Sequence, residues 1–204
     1  MAITTSTIVA IVACSMKSML FILAGVVFAI ILLIALDLLG PRLEIARRHR
    51  INTYMQSLTE RTRATPPDTE ALNTLIRLLH SNDSFESTGA AIALGAVGGH
   101  AEPAVDALIE TLESPNHYTA REASTSLGMI GPAAQRAVPA LIKAMQQHSD
   151  RDVGWFAAES LGYIADPNDA SVITVLEQAS KSSDDRMRSS AVKGLHSLAS
   201  RRVK

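Results

Sequence analysis

The chain has 204 residues with 19 Lys or Arg, 20 Asp or Glu and a formal net charge of -1, so no global field selects a partner. Aromatics make up only 4%, which disfavours a base-stacking surface, and the single cysteine, Cys14, excludes an intrachain disulfide or a cysteine metal cluster. The length allows one ordinary domain with an appendage. The charge is unevenly spread. Residues 37–65 hold six Arg against Asp37, Glu44 and Glu60, whereas residues from Pro66 onward hold 12 Lys or Arg against 17 Asp or Glu, a net of -5. An acidic body argues against a nucleic-acid groove, which needs clustered Lys and Arg.

Met19 to Leu36 is an uncharged apolar run of 18 residues, ended by Asp37. With Ser18 before it and Leu38-Leu39 after it, the run approaches the roughly 20 residues that span a bilayer core. The apolar content is uniform, without the polar face of an interfacial helix. Residues 1–40 are therefore expected to be an N-terminal membrane anchor, with the span over about 18–39. A cleaved signal fits less well, because the run exceeds the usual h-region and no small-x-small site follows it. A lipoprotein box at Ile11-Val12-Ala13-Cys14 lacks a basic region before it. Whether Ile8 to Ala13 joins the span stays open. Arg42, Arg47, Arg48 and Arg50 crowd the C-terminal flank against Lys17 on the other side, so the positive-inside rule places the body in the cytoplasm of a single-pass protein.

Residues 41–65 read as a basic juxtamembrane helix or linker. Leu43, Ile45, Ile51, Tyr54-Met55 and Leu58 give imperfect helical spacing, and Ala64-Thr65-Pro66-Pro67 breaks the helix before the body at 66–204.

The body is built on a repeated phrase. Leu94-Gly95-Ala96-Val97-Gly98, Leu127-Gly128-Met129-Ile130-Gly131 and Leu161-Gly162-Tyr163-Ile164-Ala165 lie 33 and 34 residues apart, and Leu195 and Leu198 stand in the same apolar places of a weaker fourth copy. Four units follow, at about 66–98, 99–131, 132–165 and 166–199. Their first segments align as Leu72-Leu75-Leu79, Val105-Leu108-Leu112, Val138-Leu141-Met145 and Val172-Val175-Ala179. The second segments align as Ala90-Leu94-Val97, Ala123-Leu127-Ile130, Ala157-Leu161-Ile164 and Ala191-Leu195-Leu198. Both spacings define one helical face. Turn and helix-start residues separate the segments, as in Ser81-Asn82-Asp83-Ser84, Ser114-Pro115-Asn116 and Asp166-Pro167-Asn168-Asp169. The expected class is all-α: a right-handed alpha solenoid of four helical hairpins, preceded by a single transmembrane helix. Gly95, Gly128 and Gly162 disfavour a helix interior by about 1 kcal/mol relative to Ala, so their recurrence predicts a tight helix crossing.

Arg121-Glu122-Ala123-Ser124-Thr125-Ser126-Leu127-Gly128-Met129-Ile130-Gly131 resembles the second helix of the short HEAT-like repeat described from phycobilisome lyase subunits. The stretch Ala133 to Met145, with Val138-Pro139-Ala140-Leu141-Ile142, resembles the first helix of the next unit. The resemblance covers about 66–199 and departs in the last unit, where Gly194 precedes Leu195 and His196 replaces the usual Gly. It speaks for fold more than for function, because this family includes scaffolds, adaptors and some enzymes.

No catalytic constellation emerges. The six histidines, His49, His80, His100, His117, His148 and His196, show no metal-ligand spacing, and the Asp166-Asn168-Asp169 loop lacks the glycine and distal Glu of a calcium loop. The His-Glu dipeptides of the di-iron HEAT-like hydroxylases do not occur. Gly95-Ala96-Val97-Gly98-Gly99 lacks the strand that precedes a phosphate-binding loop. No metal and no cofactor are expected.

The informative surface is the one opposite the core stripe. On a helix, Arg121, Thr125 and Met129 point away from Ala123, Leu127 and Ile130. Their counterparts are Thr88, Ile92 and Ala96; Trp155, Glu159 and Tyr163; and Ser189, Lys193 and Ser197. The resemblance implies that second helices line the concave surface, so these positions form a ladder across it. Trp and Tyr are usual interface anchors; wedging of Trp155 and Phe156 between repeats is the plainer alternative. The partner-binding residues expected are Arg121, Thr125, Met129, Trp155, Glu159, Tyr163, Ser189 and Lys193. The leading functional reading is a membrane-tethered scaffold or adaptor that binds a protein or peptide, without catalysis. A phycobilin-lyase-like enzyme or subunit, implied by the resemblance, and a purely structural stacking or self-associating role are the alternatives.

Overall fold

The structure is a computed structural model that describes residues 40–65, 67–147 and 150–202. The expected span at 18–39, with Ile8 to Ala13 and Lys17, lies outside the described residues. Among those residues no helix is long and apolar enough to cross a membrane. Two compact units divide at 49/50. In the first, residues 40–49 are helical, with Leu43 and Ile45 each 67% exposed. Glu44 accepts the Arg48 guanidinium at 3.0 Å and lies 3.7 Å from that of Arg47.

The second unit opens with a helix over 50–63, here α1. Met55, Leu58 and Thr62 of α1 are buried. Met55 lies against Gly89, and Arg61 pairs with Asp68 at 2.6 Å. Eight further helices make four hairpins: α2 (Thr69–Leu79) with α3 (Ser84–Val97), α4 (Val105–Thr111) with α5 (His117–Ile130), α6 (Val138–Gln147) with α7 (Arg151–Ile164), and α8 (Ala170–Ala179) with α9 (Asp185–Arg202). The second helices pack in order, α3 on α5, α5 on α7 and α7 on α9. No strand occurs among the described residues.

Caps fix where six helices begin. The side chains of Asp68, Asp83, Asn116, Asp150, Asp169 and Asp184 accept amides of the first turn, and the first five stand in extended backbone. Helices α4 and α6 begin differently. They are entered through seven-residue 3-10 segments, Gly98–Ala104 and Gly131–Ala137. The expected first helix from Ala133 therefore starts only at Val138. Gly98, at φ +68°, and Gly131, at φ +75°, turn the chain at the ends of α3 and α5, and the 3-10 segments start from these turns. Ala134 and Ala137 bury this turn against the stack, as Ala101 and Ala104 do one repeat earlier.

One leucine of each helix's stripe is fully buried: Leu75, Leu94, Leu108, Leu127, Leu141, Leu161, Leu176 and Leu198. Two details of the expected stripes differ. In α8 the buried pair is Val172 and Leu176, with Val175 and Ala179 only half-buried. In α9 Leu195 stays half-buried, with no further hairpin over it among the described residues.

The recurrent glycines lie at the helix crossings, as the sequence implied. A Cβ at Gly95 would come 2.9 Å from Ser126 Cα, at Gly128 3.1 Å from Ser160 Cα, and at Gly162 2.4 Å from Gly194 Cα. Each Ser-Leu-Gly triplet therefore faces two ways. Its Gly receives the next repeat, and its Ser reaches back to the previous one: Ser126 donates to Ala91 O at 2.7 Å and Ser160 to Ser124 O at 2.8 Å. The first-helix layer is joined by exposed ion pairs, Arg136 to Asp106 at 2.7 Å and Lys143 to Glu113 at 2.7 Å, each worth at most about 1 kcal/mol.

Candidate functional site: a groove between α5 and α7

The close approach at Gly128 and Ser160 leaves a groove of 430 Å³ above the crossing of α5 and α7. Thr125, Gly128 and Met129 line one wall, and Phe156, Glu159, Ser160 and Tyr163 the other. The lining is chiefly apolar and open: Met129 is 57% exposed and Tyr163 45%. Exposed large apolar side chains gathered in one concavity mark interaction or ligand sites more often than single ones do.

Four expected residues meet here: Thr125, Met129, Glu159 and Tyr163. Arg121 sits at the edge, with its guanidinium 5.7 Å from the Phe156 ring centre and 5.4 Å from that of Tyr118, while Glu122 holds it at 2.8 Å. Lys193, from α9, reaches Glu159 at 3.4 Å without lining the groove. Ser189 is exposed elsewhere on α9. Trp155 is not part of the groove. Its Nε1 donates to Asp184 Oδ2 at 3.1 Å, Arg186 stacks 4.8 Å from its ring centre, and it lines a separate hollow with Met145, Gly154 and Met187. Trp155, half-buried, thus meets the start of α9 instead of the groove.

Phe156 stands where Trp155 was expected, and helix geometry explains why. At about 100° per residue, Trp155, Glu159 and Tyr163 drift by about 80° along the i, i+4, i+8 row. Phe156, Glu159, Ser160 and Tyr163 follow i, i+3, i+4, i+7 and share one stripe. That spacing was readable in the sequence.

Three helix-cap carboxylates titrate below their ordinary value. The amide of Ala71 and the guanidinium of Arg61 hold Asp68 down, and the Ser171 hydroxyl holds Asp169 down. Partial burial works against the Asp184 carboxylate, but the Met187 amide, the Trp155 indole and the Arg186 amide together keep it low. None lines the groove, so these shifts belong to helix capping. Among the described residues no group of three or more His, Cys, Asp or Glu is arranged to hold a metal ion.

A family model for HEAT repeats matches residues 105–196, the part of the chain that carries the groove. No curated protein matches the sequence. Among solved structures, the complex of CpcE and CpcF of phycocyanin lyase from Nostoc sp. PCC7120 is similar at 24% identity and TM-score 0.59, over 76% of this chain and 60% of that one. Two engineered proteins match at 25% and 24% identity, each with TM-score 0.49, over 64% and 71% of this chain and 63% and 43% of theirs. The chain thus spans less than two thirds of these solved chains. The HEAT-repeat match over 105–196 covers the hairpins α4–α5 and α6–α7 and most of α8–α9.

Proposed function

We propose that the chain is a membrane-tethered interaction module whose groove between α5 and α7 docks a protein or peptide. The observation that carries this reading is the open apolar concavity that Met129, Phe156 and Tyr163 form in the second-helix layer. Residues 18–39 supply the tether, and Arg42, Arg47, Arg48 and Arg50 hold the repeat body on the cytoplasmic side. No catalytic step is assigned to the groove.

A photo-crosslinking residue at Tyr163 tests the site in the full chain, with the same residue at Lys143 on the first-helix layer as control. A discrete adduct from position 163, absent from 143 and lost on Met129→Ala, is the expected result. Equal labelling from both positions, or none from 163, overturns the site.

The second reading is a phycobilin-lyase-like enzyme or subunit, and it rests on the fold likeness to the phycocyanin lyase complex. There the groove would receive a tetrapyrrole, with Arg121, Glu159 and Tyr163 as polar contacts. Visible spectra of the chain mixed with bilin separate the two readings. A shifted, saturable absorbance band favours the lyase-like role, and an unchanged spectrum leaves the docking role.

A further inference from the structure

The groove's chemistry narrows what it accepts. Its apolar lining carries one carboxylate, Glu159, whose side chain is only 27% exposed. Phe156 and Tyr163 flank that carboxylate on the same helical stripe, and the thioether of Met129 faces them from α5. Aromatic faces beside a carboxylate recognise a planar cation: the rings attract it through their quadrupoles, and the carboxylate accepts its N–H groups. The fold already uses this pairing twice, with Arg121 against Phe156 and Arg186 against Trp155.

Two cations border the slot, and each already has a carboxylate partner. Arg121 is committed to Glu122 at 2.8 Å. Lys193 approaches Glu159 from the next repeat at 3.4 Å and remains 60% exposed. That contact is long for a charge-assisted hydrogen bond, whose usual length is about 2.7–2.9 Å. It leaves carboxylate lone pairs open to a better donor. The surrounding body is acidic, with a net of -5 from Pro66 onward, which favours a cationic partner over an anionic one.

We infer that the groove is an arginine slot: the docked partner is a basic peptide segment that lays one guanidinium between Tyr163 and Phe156 and pairs it with Glu159. This rests on the docking reading above and goes further by naming the side chain recognised. Lysine suits the slot less well, because an ammonium lacks the planar fork that matches ring and carboxylate together. Lys193 then acts as an internal competitor, occupying Glu159 when the slot is empty and retreating to solvent when it is filled.

The test uses the full chain in detergent micelles with ¹³C-methyl methionine, reading the Met129 methyl resonance. The probes are N-acetyl-arginine amide, its neutral isostere N-acetyl-citrulline amide, and N-acetyl-norleucine amide. The arginine probe is expected to shift the resonance saturably, with citrulline weaker by about tenfold for the lost charge-assisted pair. Glu159→Gln should weaken the arginine probe by a similar factor, about tenfold. Lys193→Ala should strengthen it by about threefold, the opposite of what a merely structural lysine would do. Citrulline binding as well as arginine, or Lys193→Ala weakening the arginine probe or leaving it unchanged, overturns the inference. Norleucine as the tightest probe also overturns it, while the crosslink from Tyr163 still reports whether the groove docks a partner at all.

Discussion

The joint between α5 and α7 and the joint between α7 and α9 occupy equivalent places in the stack, yet they are built differently. At the first, Gly128 meets Ser160, and the serine hydroxyl ties back to Ser124 O at 2.8 Å. At the second, Gly162 meets Gly194 backbone to backbone, with no side chain between. Above the first joint lie Met129, Phe156 and Tyr163; above the second the aligned surface carries Lys193 and Ser197, and Lys193 leans back onto Glu159. The crossing itself recurs because every hairpin must bury its neighbour, whereas the surface over it is free to vary. The proposed docking groove sits where the repeat is least repetitive.

Substitutions at the crossings give the largest effects. Gly162→Val forces side-chain atoms into the Gly194 backbone and should destabilise by about 3 kcal/mol or more, read as a fall in denaturation midpoint. Gly128→Ala should cost less, about 1–2 kcal/mol, because its nearest obstacle is the Ser160 hydroxyl rather than backbone, and that hydroxyl can turn aside at the expense of its bond to Ser124 O. Equal losses at the two positions would mean that the two joints are mechanically the same. Ser160→Ala removes one buried hydrogen bond and should cost about 1 kcal/mol; at the α7–α9 joint the side-chain bond across the crossing is instead Arg201 Nη1 to Gly162 O at 3.1 Å.

The caps add a pH-dependent term at one end of that comparison. Asp184 starts α9, and its folded carboxyl titrates below the ordinary value. Its contribution is therefore present above the unfolded carboxylate value of about 3.9 and is lost as pH falls through the folded value. Asp68 and Asp169 carry the same sign. Thermal melts between neutral pH and about pH 3 should show this loss, and Asp184→Asn, which keeps a capping oxygen, should flatten the slope. An unchanged slope would remove Asp184 from the account.

Much of the stack was legible before the structure. The Leu-Gly phrases give the period, and the turn residues give the helix starts, because helix packing and capping act through short sequence spacings. The 3-10 segments were not legible as such. The apolar spacing of Ala134, Ala137 and Val138 suits a helix, and what the two 3-10 segments share is a positive-φ glycine at their start, Gly98 and Gly131. At the groove, Met129, Glu159 and Tyr163 could be named from the surface ladder, but Phe156 was displaced by its neighbour. A lone Trp attracts an interface reading, whereas Trp155 spends its indole N–H on Asp184, a contact 29 residues distant that no local pattern reveals.

The smallest predicted effect is at the end of the stack, and it asks whether the comparison stops there. His196 aligns with Gly95, Gly128 and Gly162 but is exposed, and Val192 is 55% exposed where the aligned Ala91, Ser124 and Ala158 are buried. A side chain is tolerated at His196 because no further helix crosses α9 among the described residues. His196→Leu should therefore change stability by no more than about 0.5 kcal/mol, in contrast to a bulky residue at Gly162. A loss as large as the one at Gly128 would show that α9 is covered in solution. The terminal hairpin would then be a joint like the other two, closed by a second molecule rather than by this chain.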